Sequence, residues 1–253
     1  MAALTEPEIK AIRHSGEILA QAMHDVVDAV RRGVVVTLEL DAIAEQAIRQ
    51  RQGKPAFKGY RGYPRALCVS INDEVVHGIP QKNKQIKLGD TVGLDLGVVY
   101  DGMYTDMATT IAVAGSAEQR RLLAVTRAAL QAGLRQVRVG AFTGDIGAAV
   151  QQQVESQRYN VVRDLVGHGV GRGIHEEPSI PNFGKPGTGS QLQAGTAIAV
   201  EPMVTAGGFA VTIDDDGWTV RTADGSLAAH EERTVLVTAT GYELLTKPLW
   251  AES

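Results

Sequence analysis

Apolar residues recur along the chain with two different periods, and the switches between them mark its organisation. Over residues 8–32, Ile9, Ile12, Leu19, Met23, Val26 and Val30 fall at spacings of three, four and seven, which lines one face of a helix. Thr5 is placed to cap its start, Pro7 suits a first turn whose N–H groups lack partners, and Gly33 stops it. A second helix is expected over 38–52, capped by Thr37, with Leu40, Ile43 and Ile48 inside and Gly53 at its end. The pattern then recurs. Ser116-Ala117-Glu118-Gln119 forms a capping box and opens a helix to about residue 139 through Leu122, Leu123, Val125, Leu130 and Leu134, stopped by Gly140. Thr143 caps a shorter helix over 144–156.

Each helix pair precedes runs rich in Val, Ile and Thr, separated by Gly, Asp and Asn, a composition that suits strands. The first set is 66–71, 91–99 and 104–113; the second is 161–166, 197–204, 209–213 and 234–237. The same order of elements thus occurs twice, and the fold class read from it is α/β (α+β). Two similar halves, about 1–115 and 116–253, pack as one domain, 1–253, with a site on the sheet they share. Residues 182–193 carry Gly and Pro and read as a surface loop.

Composition narrows the function classes. The chain has 253 residues, 44% hydrophobic, with a net charge of −4, so it holds ample core material and no single-sign excess that demands nucleic acid or membrane. Cys68 is the one cysteine, which rules out a disulfide within the chain and fits a cytoplasmic setting. No run approaches the ~20 apolar residues of a membrane helix. The opening Met1-Ala2-Ala3-Leu4-Thr5 lacks the basic and apolar blocks of a signal peptide.

Chemistry concentrates in two places. Gly167-His168-Gly169-Val170-Gly171-Arg172-Gly173 is followed by Ile174-His175-Glu176-Glu177-Pro178. So many glycines cost chain entropy, and imply a backbone that approaches something closely while presenting two imidazoles. Neither a dinucleotide-binding glycine pattern, a phosphate loop nor the H-E-x-x-H zinc signature fits this run. The second place is a set of acids in apolar strands. Asp95 sits in Gly93-Leu94-Asp95-Leu96-Gly97, Asp106 follows the hairpin signal Asp101-Gly102, and Glu201 interrupts 198–203. Glu231 and Glu232 precede the last strand, and spacing alone does not choose between them. Buried acids repel unless a proton or cation lies among them. An oxygen-rich set with one imidazole favours divalent Mn, Fe, Co or Zn, and shared carboxylates favour two ions.

These residues carry a resemblance. The segments from Ser70-Ile71-Asn72 to His77-Gly78-Ile79-Pro80, Asp95 with Asp106, the glycine run with His175-Glu176-Glu177-Pro178, Glu201-Pro202, Asp216-Gly217-Trp218-Thr219 and Glu232-Arg233-Thr234 resemble the type I methionine aminopeptidases of the short bacterial form. The resemblance covers essentially the whole chain. It implies the pita-bread fold, with two pseudo-symmetric halves around a curved antiparallel sheet, and release of the first methionine from nascent proteins and peptides whose second residue is small and uncharged. It implies a dinuclear site of two divalent ions (Co, Mn, Fe or Zn) held by Asp95, Asp106, His168, Glu201 and Glu232, with Asp106 and Glu232 shared. Glu201 would also take a proton from the attacking water, and His77 and His175 would contact the substrate amide. The methionine pocket would use Phe57, Tyr60, Tyr63, Cys68, Ile174 and Trp218, an apolar slot suited to a thioether. Three positions depart from the relatives: Phe57 is larger than usual, Ile174 replaces an aromatic and Gly97 replaces a hydroxyl residue. Nascent polypeptide N-termini are the implied partners, with transient ribosome association, a monomeric state, and neither membrane nor sequence-specific nucleic-acid binding. His14 and His24 are expected on the surface and His230 in a structural role. A related Xaa-Pro peptidase would carry a further N-terminal domain, for which the chain has no room, and a non-catalytic relative would have lost ligands.

Overall fold

A computed structural model describes residues 2–250. Helix α1 (Glu6–Arg31) starts at Thr5, whose backbone N–H and hydroxyl both donate to Glu8 Oε2 at 2.8 Å. This reciprocal cap satisfies N–H groups that the first turn leaves without partners. Helix α2 (Thr37–Gln50) corrects one expectation, because Val36 holds the cap position and Thr37 is the first helical residue. The Thr37 hydroxyl instead lies 3.0–3.1 Å from Gln81 O and Lys84 O and accepts from Gln81 N. The same substitution of roles occurs at α4 (Thr143–Glu155), where Phe142 takes the cap position and the Thr143 hydroxyl accepts from Ser190 N at 3.3 Å. Both residues before these helices form isolated antiparallel bridges, Val36 with Gln85 and Phe142 with Gln191. Between them, α3 (Ala117–Leu134) has the expected Ser116–Gln119 box. It ends short of residue 139, because the chain turns there to bury Val137.

The strands in chain order are β1 (Lys54–Pro55), β2 (Leu67–Ile71), β3 (Glu74–Val76), β4 (Thr91–Tyr100), β5 (Met103–Ala112), β6 (Asn160–Val161), β7 (Gly167–Val170), β8 (Glu176–Ile180), β9 (Ala197–Val200), β10 (Met203–Thr205), β11 (Val211–Ile213), β12 (Val220–Thr222), β13 (Ala228–His230), β14 (Glu232–Thr238) and β15 (Gly241–Leu244). Nine of them form one sheet in the order β1-β4-β5-β14-β9-β7-β8, with β2 also on β4 and β15 also on β14. Every pairing in it is antiparallel. Strands from both helix pairs' sequence neighbourhoods therefore meet at the β5–β14 contact. Two three-stranded sheets, β13-β10-β6 and β11-β12-β3, flank it.

Alternation divides the large sheet into two faces. Leu94, Leu96, Val98 and Met107 pack under α1 and α2 with Leu19, Met23, Val26, Leu40 and Ile48. Ile198, Val200, Val235 and Val237 pack under α3 and α4 with Leu122, Leu130, Ile146 and Val150. All four helices thus cover one face, and the residues alternating with these apolar ones line the other.

The expected run 197–204 is split, because Glu201-Pro202 leaves the ladder between β9 and β10. Of the run 161–166 only Val161 is extended, at the end of β6. Strands β7 and β8 lie in the glycine run and its sequel, which no periodicity marks as extended. Among the described residues no helix is long and apolar enough to cross a membrane.

Candidate active site

Ladder register assembles the acids before any side-chain detail is needed. Across the sheet, Cys68 pairs with Asp95, Asp95 with Ala108, and Ala108 with Glu232, so these four share one row and one face. The hairpin at Asp101-Gly102, with φ of 48° and 76° at the two positions, pairs Gly97 with Asp106. Asp95 and Asp106 are therefore diagonal neighbours on that face rather than direct partners. The register of Arg233 on Val200 carries Glu201 to the side of Glu232. The register of Gly169 on Ile198 carries His168 to the side of Ala199, one pleat from Glu201.

The same parity settles the choice that spacing left open. Glu232 faces the cluster, whereas Glu231 turns to the helix side. There Thr109 Oγ1 donates to it at 3.1 Å and the Arg233 guanidinium lies 3.4 Å away. Thr234 locks this register. Its hydroxyl donates to Asp106 O at 2.7 Å and accepts from Asp106 N at 2.9 Å.

The resulting cluster suits cations. His168 Nδ1 lies 2.9 Å from Gly169 O, so Nδ1 carries the proton and Nε2 offers a lone pair. That Nε2 is 3.4 Å from Glu201 and 4.0 Å from both Asp106 and Glu232. Asp95 Oδ1 and Glu232 Oε1 are buried without hydrogen-bond partners, an expensive arrangement unless a cation meets them. One donor atom from each of Asp95, Asp106 and Glu232 lies within 4.8 Å of the others, and the same holds for His168, Glu201 and Glu232. A third such group is Asp106, His168 and His175.

Protonation follows from this crowding. Burial, then the Glu201 charge, pushes Asp95 up to about 7, and burial pushes Glu201 up to about 8. Asp106 and Glu232 rise well above the carboxylate range, first by burial and then by their acidic neighbours. Burial also drives His168 down to about 3 and His77 to about 4, so both imidazoles are neutral at neutral pH.

The glycine run has a structural cause. A Cβ on Gly167 would stand 2.5 Å from Ala199 O, so what approaches is the neighbouring strand β9, and the ladder that positions His168 depends on it. His175 is exposed at the rim, its ring 4.4 Å from that of His168, and its Nδ1 lies 3.0 Å from the Tyr60 hydroxyl. His77 follows β3 with φ of 60°, a conformation uncommon outside glycine. Strand β3 is tied down by Glu74, which accepts from Ile71 N and pairs with Arg221 and Lys84.

A cavity of about 260 Å³ joins these groups to an apolar recess. It is lined by Phe57, Tyr60, Tyr63, Cys68, His77 and Trp218, as well as by the five clustered residues. Tyr63 packs edge-on to Trp218 with centroids 5.1 Å apart. Ile174 does not reach the lining; it lies behind it, buried with Ala56, Phe57, Tyr63 and Cys68. Arg61, Val76 and His230 also line the cavity, and none was assigned to the site from the sequence. His230 departs most from expectation. It is buried, and its unpartnered Nε2 points at Glu201 Oε2 from 3.6 Å. Only its adjacency to Glu232 in the sequence hinted at this. His14 is exposed beside Glu17 as expected, whereas His24 is half-buried with a buried Nδ1 lacking a partner. A second, more open groove of about 430 Å³ shares His77, His168, His175 and Glu201 with the cavity and runs on past Leu165, Glu177 and Met203.

A curled antiparallel sheet with clustered acids and one imidazole on its open face defines a metallopeptidase. The chain belongs to metallopeptidase family M24, whose sequence profile matches residues 10–239. Within that family it is similar to methionine aminopeptidases. It is 44% identical over 242 residues to that of Clostridium perfringens, covering 95% of this chain and 96% of the relative, and 40% identical over 244 residues to methionine aminopeptidase 1 of Bacillus subtilis, covering 96% and 98%. The crystal structure of methionine aminopeptidase from Thermotoga maritima superposes with a TM-score of 0.93 at 42% identity, covering 98% of this chain and 99% of that one. A prolidase from Pyrococcus furiosus shares the fold, with a TM-score of 0.77 at 23% identity over 98% of this chain and 66% of its own. The chain has the pita-bread fold common to these enzymes, and the family uses divalent metal.

Proposed function

We propose that this protein removes the amino-terminal methionine from peptides and new polypeptides, using two divalent cations. The observation that carries this reading is the pair of donor groups, Asp95–Asp106–Glu232 and His168–Glu201–Glu232, which share Glu232 on one sheet face beside an apolar recess. Asp106, 4.0 Å from His168 Nε2 and grouped with Asp95 and Glu232, would be the second shared ligand, with His168 and Glu201 serving one ion and Asp95 the other. Bound cations would supply Lewis acidity at the scissile carbonyl and ease deprotonation of the attacking water.

The chain's own residues do the rest. Glu201 takes the water's proton at a carboxylate oxygen, an assignment supported by its place beside Glu232 in the ladder and its exposure to the cavity. Neutral His77 and His175 flank the opening and hydrogen-bond the substrate amide, adding stabilisation where charge develops on its oxygen. Phe57, Tyr60, Tyr63, Cys68 and Trp218 receive the first side chain, with Ile174 supporting them from behind. The open groove takes the departing chain. A free α-amine is the natural partner for the acidic end of the site, which makes the enzyme an exopeptidase.

The test is cleavage of Met-Ala-Ser and its N-acetylated form during titration of metal-free protein with manganese or cobalt. Release of methionine from the free peptide alone, rising to a plateau at two equivalents, is expected. Equal cleavage of the acetylated peptide would overturn the reading. Equal cleavage before Ala and before Leu would overturn the preference for a small second residue.

A further inference from the structure

Gly97 lies in the middle of the ten-residue strand β4 with ordinary extended backbone. Glycine there has no conformational purpose, and it weakens a strand by roughly 0.5–1 kcal/mol relative to a residue with a side chain. A glycine at such a position marks a close approach by something else. A Cβ built on Gly97 stands 2.7 Å from Phe57 Cε1, 3.1 Å from Phe57 Cδ1 and 2.9 Å from Ala56 Cβ. The Phe57 ring therefore occupies the space where a side chain at 97 would be.

That space matters because of its row on the sheet. Gly97 pairs directly with Asp106 and is one pleat from Asp95. Ala56 N donates to Gly97 O at 2.9 Å, which draws the start of the 56–63 segment onto this strand. Phe57 is buried with Tyr63, Cys68 and Ile174 and also lines the cavity. Its ring thus forms a wall that runs from the apolar recess to the edge of the acidic cluster.

We propose that Gly97 is a specificity-determining residue: by lacking a side chain it admits the Phe57 ring onto the sheet floor beside Asp106, and the two residues together set the size of the recess for an unbranched apolar first side chain. This inference rests on the reading of that recess as the first-residue pocket. Any side chain at 97 pushes the ring into the cavity and narrows it. Loss of the ring widens it and removes the clash of a side chain at 97 with Phe57, leaving only that with Ala56 Cβ.

The test is a double-mutant cycle of Gly97→Ala and Phe57→Ala, assayed in the metal-loaded enzyme with peptides beginning with methionine or with ethionine, one methylene longer. One methylene in an apolar pocket is worth roughly 10-fold or more in kcat/KM. In the native background, G97A is expected to raise KM for the methionine peptide by about tenfold with a smaller change in kcat. In the F57A background it should change KM by less than about threefold, because the shared clash with Ala56 is all that remains. The thermal midpoint should follow the same rule, lowered by G97A alone and less so in the double variant. Equal effects of G97A in both backgrounds, on KM and on the midpoint, would overturn the proposal. The pocket reading has its own control: F57A alone should relax the preference for methionine over ethionine. An unchanged preference would refute the pocket assignment, whatever the cycle shows.

Discussion

His230 Nε2 points at Glu201 Oε2 from 3.6 Å, and both groups are turned into the same cavity. At that separation the two do not hydrogen-bond directly, but each limits the space open to the other. His230→Ala should therefore loosen Glu201 and lower kcat by about tenfold, with KM for Met-Ala-Ser little changed. His230→Gln, which keeps a polar group there, should recover most of the loss. Steady-state kinetics at saturating metal decides the matter, and full activity in the alanine variant would return His230 to a packing role.

The acidic cluster makes stability depend on pH in an unusual direction. Asp95 titrates at about 7 and Glu201 at about 8 in the metal-free fold, against about 4 for unfolded carboxyl groups. Between those values the folded state holds protons that the unfolded chain has released, so stability falls as pH rises. Below roughly pH 6.5 the buried imidazoles of His77 and His168, held at about 4 and about 3, oppose this trend, because they take up protons only on unfolding, so the metal-free protein should melt at progressively lower temperature chiefly from roughly pH 6.5 to pH 8. Saturating divalent metal should cancel or reverse the slope, since only deprotonated ligands bind it. A rising melting curve for the metal-free protein would contradict the assignment of buried, like-charged acids.

Glu232 belongs to two of the three donor groups, whereas Asp95 belongs to one. Glu232→Gln should reduce bound metal to less than one equivalent, and Asp95→Asn should leave about one. Elemental analysis of the dialysed variants measures both. Retention of two equivalents by Glu232→Gln would remove it from the ligand set.

His77→Ala and His175→Ala should lower turnover by about 10²-fold while metal content stays near that of the native protein. Burial holds His77 neutral, and at the exposed rim the partial burial of the His175 ring and then the Arg61 charge lower its pKa. Both imidazoles act as hydrogen-bonding groups, so neither should add an acid limb near its ordinary pKa. Metal loss in either variant would show that a ligand had been mistaken for a substrate contact.

Much of this architecture was legible in the sequence where side chains speak strongly. Helical periodicity, the Ser116 box and the Asp101-Gly102 turn each appear where the pattern placed them. The acids at 95 and 201 stood out because they interrupt apolar runs, and Asp106 because it follows the Asp101-Gly102 turn signal. What failed to show were elements whose evidence is not local. Strand β7 is half glycine, and strands β3, β12 and β13 are three residues each, held by partners distant in the chain. Thr37 and Thr143 looked like caps because a hydroxyl before a helix often is one; here both hydroxyls hold neighbouring loops instead. Spacing alone could not rank Glu231 and Glu232; the resemblance chose Glu232, and the ladder gives the two opposite faces.

That opposition has a consequence for how the chain comes to be active. The side-chain period of a strand is two, so a slip of β14 by a single residue against β5 would present Glu231 or Arg233 to the centre in place of Glu232. A guanidinium in that position would repel the ions the site is built to gather. The paired hydrogen bonds between Thr234 and Asp106 act as an alignment pin against this error. A correctly threaded molecule is then rewarded twice, once by that pin and again when ions bind, while a misthreaded one is chemically silent.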